Sequence, residues 1–65
     1  MTDEVKQLFK TRNTSPLRVA RKLGITHTYI YSLLNGMQRN EKRRRQIAKT
    51  LGVSVVDLAR VCGWN

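Results

Sequence analysis

Few side chains in this sequence are equipped for covalent or acid–base chemistry. There is one histidine, His27, and one cysteine, Cys62, and they fall on different predicted helices. The four acids, Asp3, Glu4, Glu41 and Asp57, stand where helices are expected to begin, so they read as helix-start residues rather than as a paired acid and base. No group of His, Cys, Asp and Glu has metal-ligand spacing, and no glycine-rich loop leads into a helix. The pattern points away from an enzyme, a metal, a cofactor and a small-molecule substrate. What the chain carries in quantity is cation: 13 Lys and Arg against 4 Asp and Glu, a net charge of +9 on 65 residues. The chemistry of such groups is attraction and hydrogen bonding to phosphate or another polyanion.

The cations are not spread evenly. Residues 13–36 hold Arg18, Arg21 and Lys22, a net of +3, and residues 37–50 hold Arg39, Lys42, Arg43, Arg44, Arg45 and Lys49 against Glu41, a net of +5. The run from Lys42 to Arg45 alone is what a solvated helix face looks like; its neighbours give it the character of a phosphate-contacting segment.

Size and composition bound the rest. Sixty-five residues make one domain, residues 1–65, with no second lobe to form an interdomain cleft. With 40% hydrophobic residues the chain has enough apolar material to fold. There is no run of 18 apolar residues for a membrane span and no signal-like apolar stretch in MTDEVKQLFK. A lone cysteine cannot form an internal disulfide, so a reducing cytoplasm is the expected compartment.

Capping residues and stops divide the chain into five short helices. Thr2, Ser15, Thr26, Asn40 and Ser54 are each placed to cap a helix start, because a short side-chain oxygen can accept an otherwise unpaired N–H. Pro16 follows Ser15 at the first helical position, where proline suits best. Asp57 stands three residues after Ser54, as in a capping box. Asn13, Gly24, Gly36, Gly52 and Gly63 are the predicted ends. Between these marks the apolar residues recur at helical spacing: Val5, Leu8 and Phe9; Val19, Ala20 and Leu23; Ile30, Leu33 and Leu34; Ile47, Ala48 and Leu51; Val55, Leu58 and Val61, with Cys62 beside them. No strand alternation, internal repeat or linker is present. The expected class is all-α, a compact bundle of five helices.

The segment PLRVARKLGITHTYIYSLLNG, Pro16 to Gly36, positions the rest. Its two helices are joined by only Gly24, Ile25 and Thr26, a turn tight enough to hold them at a steep angle. Small Ala20 allows close approach, and Gly24, Ile30 and Leu33 follow at the intervals of a helix-turn-helix. The sequence resembles the phage Cro and repressor type of helix-turn-helix domain, also called XRE-type or lambda-repressor-like. Val19 to Thr26 resembles the family's second helix and turn. Leu33-Leu34-Asn35-Gly36 resembles the end of its third helix, and Ile47 to Ser54 its fourth helix and the entry to its fifth. The likeness covers roughly Val5 to Leu58. It implies a lambda-repressor-like five-helix bundle that binds operator DNA, often as a homodimer, usually to repress transcription.

With Ile30 taken as the core-facing centre of the third helix and about 100° per residue, Thr28 and Ser32 lie nearly opposite, flanked by Tyr31 and Asn35. By position in the family, Thr26, His27, Thr28, Tyr31 and Ser32 are the base-facing residues, and their hydroxyls, imidazole and methyl group suit base edges in the major groove. Related domains often carry Gln where His27 and Thr28 stand here, so the target sequence stays open. His27 could equally cap or pack, and Tyr29 could simply cover the edge of the core. Phosphate contacts are expected at Ser15 and Pro16 at the second helix start, and at Asn35, Arg39, Lys42 and Arg43 around the third helix end and fourth helix start.

Two further expectations concern the fourth helix and the C-terminus. Arg44 stands where the family usually has an apolar core residue; its stem must pack while its guanidinium escapes, or the fourth helix must sit differently. Val56, Val61 and Trp64 are candidates for a dimer interface, with sealing of the core as the other role open to Trp64. The rival reading of the whole is a protein-interaction module of the same fold, an antitoxin or anti-repressor. RNA and membrane-surface readings are weaker, because there is no aromatic stacking platform and the apolar stripes face inward.

Overall fold

The protein is described by a computed structural model over residues 2–64; residues 1 and 65, the ends of the expected domain, lie outside it. Five α-helices account for its architecture: α1 Asp3–Thr11, α2 Pro16–Leu23, α3 His27–Leu34, α4 Glu41–Leu51 and α5 Val55–Cys62. No strand occurs among the described residues. The expected all-α, lambda-repressor-like bundle is what forms.

The helix boundaries follow from local chemistry. Each predicted capping side chain accepts the backbone N–H three residues on: Thr2 from Val5, Ser15 from Arg18, Thr26 from Tyr29, Asn40 from Arg43 and Ser54 from Asp57, at 3.0 to 3.3 Å. Each such bond satisfies a donor that the helix start leaves unpaired. The Asp57 carboxylate lies 3.6 Å from Arg60 Nη1, one turn along α5. The α2–α3 turn depends on Gly24, whose φ of +69° lies in the left-handed region. Its N–H bonds to the Arg21 carbonyl and that of Ile25 to the Ala20 carbonyl, so the chain reverses within three residues while closing the end of α2.

Apolar stripes from all five helices meet in one core. Val5, Phe9, Val19, Ala20, Ile30, Leu33, Leu34, Ile47, Ala48, Leu51 and Leu58 are buried. Leu8, Leu23, Ile25, Val55, Val61 and Cys62 pack around them, half-buried. The helix-turn-helix pair α2 and α3 packs together, α4 braces α2 and α5, and α5 also covers α1. The core therefore lies behind α3 and leaves the opposite side of that helix free.

Candidate nucleic-acid interface

The outer side of α3 is built from its N-terminal residues. Thr26, His27 and Thr28 are exposed. The Thr26 hydroxyl oxygen accepts the Tyr29 N–H at 3.1 Å, which leaves its own hydrogen directed elsewhere. His27 and Tyr31, one turn apart, meet edge to face with ring centroids 4.6 Å apart and planes at 87°. This contact fixes both rings against each other without burying the imidazole. Thr28 keeps its hydroxyl and methyl group in solvent.

Tyr31 and Ser32 are half-buried, less open than the helical wheel alone suggests. The Ser32 hydroxyl donates to the Thr28 carbonyl at 3.0 Å. The Ser32 carbonyl in turn accepts the N–H groups of Met37 and Gln38, at 2.9 and 3.1 Å. The α3–α4 loop thus folds back against Ser32, and the free donors of the face concentrate at Thr26, His27 and Thr28. Tyr29, from the other side of α3, packs against the core, and its hydroxyl oxygen accepts from Asn40 Nδ2 at 3.3 Å. Tyr29 thereby links α3 to the cap of α4, which is the covering role open to it from sequence.

No Lys, Arg, Asp or Glu occurs between His27 and Leu34. Cations surround that neutral helix. Asn35, Arg39 and Lys42 are exposed at its C-terminal side. The Arg39 Nε donates to Glu41 Oε1 at 3.3 Å, with 71% of its side chain in solvent. At the start of α2, Ser15 lines a groove of about 390 Å³ together with Lys10, Asn13, Thr14 and Arg18. Lys10 and Arg18 belong to this basic groove although the sequence pattern did not single them out for it. Lys10 sits in the last turn of α1, and only folding brings it beside Ser15.

Two of the expected phosphate contacts also have structural work. Pro16 is buried and has no N–H, so it sets the backbone angle at the α2 start and offers no N–H donor to an anion. Arg43 is half-buried: its Nη1 donates to the Leu23 carbonyl at 3.3 Å and to Gln46 Oε1 at 3.0 Å. It satisfies a carbonyl at the end of α2 and ties α4 to the helix-turn-helix unit.

A helix-turn-helix family model matches residues 5–58, from the first buried residue of α1 to the buried leucine of α5. The chain belongs to the Cro/C1-type (XRE) helix-turn-helix family. No curated protein and no solved structure is significantly similar to it. As an XRE-family domain it is a DNA-binding transcription regulator, and duplex DNA is its partner. The family is one of regulatory DNA-binding domains, not of enzymes. No helix among the described residues is long and apolar enough to cross a membrane, and no group of His, Cys, Asp and Glu among them could hold a metal ion.

Arg44 is the cation expected from sequence at a core-facing position of α4, and the structure shows how it is accommodated. The residue is buried, only 6% exposed, on the inner side of α4. Its guanidinium carbon lies 4.2 Å from the centre of the Trp64 ring, and its Nη1 lies 3.7 Å from Glu41 Oε1. Its Nε is buried without a partner. The charge is met by an aromatic face and a carboxylate at the rim.

That contact also redefines Trp64. Its indole Nε1 donates to the Leu33 carbonyl at 2.9 Å, and its ring packs on the core. Trp64 therefore helps seal its own domain, the other role open to it from sequence. Val61 is half-buried against the core. Val56 alone of the three is open, at 65% exposure.

Proposed function

We propose that this XRE-family regulator is a repressor that binds a near-palindromic operator as a dimer, with α3 in the major groove. Thr26, His27 and Thr28 read base edges, with Tyr31 and Ser32 closing the same surface. Ser15, Asn35, Arg39 and Lys42 hold the phosphates on either side. The observation that carries this reading is the division of charge: an uncharged, hydroxyl-rich helix face stands between two cationic segments. Phosphate contacts position a protein on any duplex, whereas neutral donors and acceptors in the groove discriminate among base pairs. Val56 on α5 is the interface candidate most open to a second copy. A dimer would set its two α3 helices roughly 34 Å apart, one turn of DNA. Occupancy of an operator in the cytoplasm is enough to exclude transcription, so repression needs no further activity.

Gel-shift titration of the full chain against random and selected duplexes, across a range of salt, tests the reading. Affinity should fall steeply with salt on every duplex, and one selected near-palindrome should bind far more tightly than the rest. Equal affinity for all duplexes overturns the operator reading. Absence of duplex binding favours the interaction-module alternative instead.

A further inference from the structure

The C-terminal end of α3 has no cation of its own. Its last turn carries no basic residue to meet the unpaired carbonyls, which a Lys or Arg commonly does. Trp64 meets one of them. Its Nε1 bond to the Leu33 carbonyl, 2.9 Å, joins residues 31 apart in sequence. The same carbonyl accepts the Gly36 N–H at 3.2 Å, so two donors close the turn.

A connected set of contacts leads onward from that ring. The Arg44 guanidinium stacks on it at 4.2 Å. Arg44 Nη1 lies 3.7 Å from Glu41 Oε1, and the same oxygen accepts from Arg39 Nε at 3.3 Å. Asn35, Gly36, Arg39, Arg44, Gly63 and Trp64 line one cavity of about 260 Å³. Trp64 lies beyond residue 58, where the family match ends, and Arg44 lies within it. The two are joined by the stack of the guanidinium on the indole.

We propose that Trp64 is a positioning residue for DNA binding: it fixes the C-terminal end of α3 and, through Arg44 and Glu41, the place of Arg39. The inference rests on the proposed roles of α3 at the bases and Arg39 at a phosphate. Trp64 itself touches no DNA. Its ring and its N–H act on two different neighbours, so they can be separated. Trp64→Phe keeps a face for Arg44 and loses the donor to Leu33, and Trp64→Ala loses both.

Amide hydrogen exchange on the free chain tests the first link without DNA. Protection of the Asn35, Met37 and Gln38 amides should fall roughly fivefold to tenfold in both variants, the loss expected for one hydrogen bond. That loss should exceed the change at α2 core amides, which report global stability. An equal change at both places overturns the α3 link, and Trp64→Phe decides it where Trp64→Ala does not fold. Duplex binding across salt tests the second link. In Trp64→Ala the salt slope should drop by about 0.9, one phosphate, and adding Arg39→Ala should change little more. In Trp64→Phe the slope should stay near that of the parent, and it carries this arm where Trp64→Ala does not fold. Full additivity of Trp64→Ala and Arg39→Ala, or a slope in Trp64→Phe reduced by a whole phosphate, overturns it. A parent chain that binds no duplex refutes the DNA-reading roles and the Arg39 link with them, and exchange still decides whether Trp64 fixes α3.

Discussion

Replacing Arg44 by methionine should leave the domain about as stable as before, and replacing it by alanine should not. Three terms set the expectation for the charge. The 3.7 Å approach to Glu41, whose side chain is 53% exposed, contributes about 0.5 kcal/mol after solvent screening. The stack on Trp64 at 4.2 Å contributes about 1–2 kcal/mol in a desolvated setting. The buried, unpartnered Nε costs about 1–3 kcal/mol. These nearly cancel, as buried ion pairs commonly do against apolar residues of similar volume. Methionine keeps a long apolar stem against Trp64, so Arg44→Met should lie within about 1 kcal/mol of the parent. Alanine removes about two buried methylenes at roughly 0.8 kcal/mol each and leaves a cavity that adds to the loss, so Arg44→Ala should cost roughly 2–3 kcal/mol. Urea denaturation followed by far-UV circular dichroism and by the emission of the only tryptophan measures both. In a domain this small about 1 kcal/mol moves the melting temperature by roughly 4–8 °C, so the variants are separable by melting as well. If methionine costs as much as alanine, the guanidinium charge and not its stem holds this site, and the reasoning is wrong.

Thr28→Ala should relax sequence preference, losing roughly 1–3 kcal/mol of discrimination at one base position. Ser32→Ala should do less, because its hydroxyl is engaged by the Thr28 carbonyl; binding selection followed by sequencing reads both. Arg39→Ala should weaken all duplexes alike and lower the salt slope by about 0.9. A base-specific effect of Arg39→Ala would mean that the wrong surface has been placed in the groove. Gly24→Ala meets no atom within 4 Å of the added carbon. Its cost should therefore be conformational, about 1 kcal/mol for a left-handed alanine, and a melting temperature unchanged by the substitution would contradict that. Burial pushes the Cys62 thiol up from 9.0 to about 11, partly offset by the Arg44 cation. The folded state then holds that proton more tightly than the unfolded chain, so stability should fall as pH rises from 9.0 towards about 11. Urea midpoints of the parent, compared with Cys62→Ala at each pH, isolate the effect; parallel curves would refute it.

Helix boundaries were legible from sequence because they are decided within three or four residues. Thr2, Ser15, Thr26, Asn40 and Ser54 accept exactly one N–H each, and Asn13 and the glycines take positive φ where the helices stop. The buried stripes were legible for a related reason: a helix fixes which residues share a face, so the 3.6-residue period carries the core from Val5 to Leu58. The neutral face of α3 and the cations around it could be read in the same way.

What the sequence could not supply was the partner of each polar side chain across the bundle. Arg43 looks like any exposed helix cation until α4 meets the end of α2 and the Leu23 carbonyl needs a donor. Ser32 looks open until the loop after α3 turns back onto it. Lys10 joins Ser15 only where the turn through Asn13 and Thr14 brings the end of α1 beside the start of α2. Arg44 and Trp64 are separated by 20 positions, and neither is intelligible alone: one is a charge in an apolar place, the other an aromatic past the end of the last helix. By itself the sequence determined five capped helices, their buried faces and a DNA-binding family, because propensity and periodicity are local. The tertiary structure decided which cations stand in solvent and which are tied to a neighbour, because a hydrogen bond between distant residues exists only once the helices have packed.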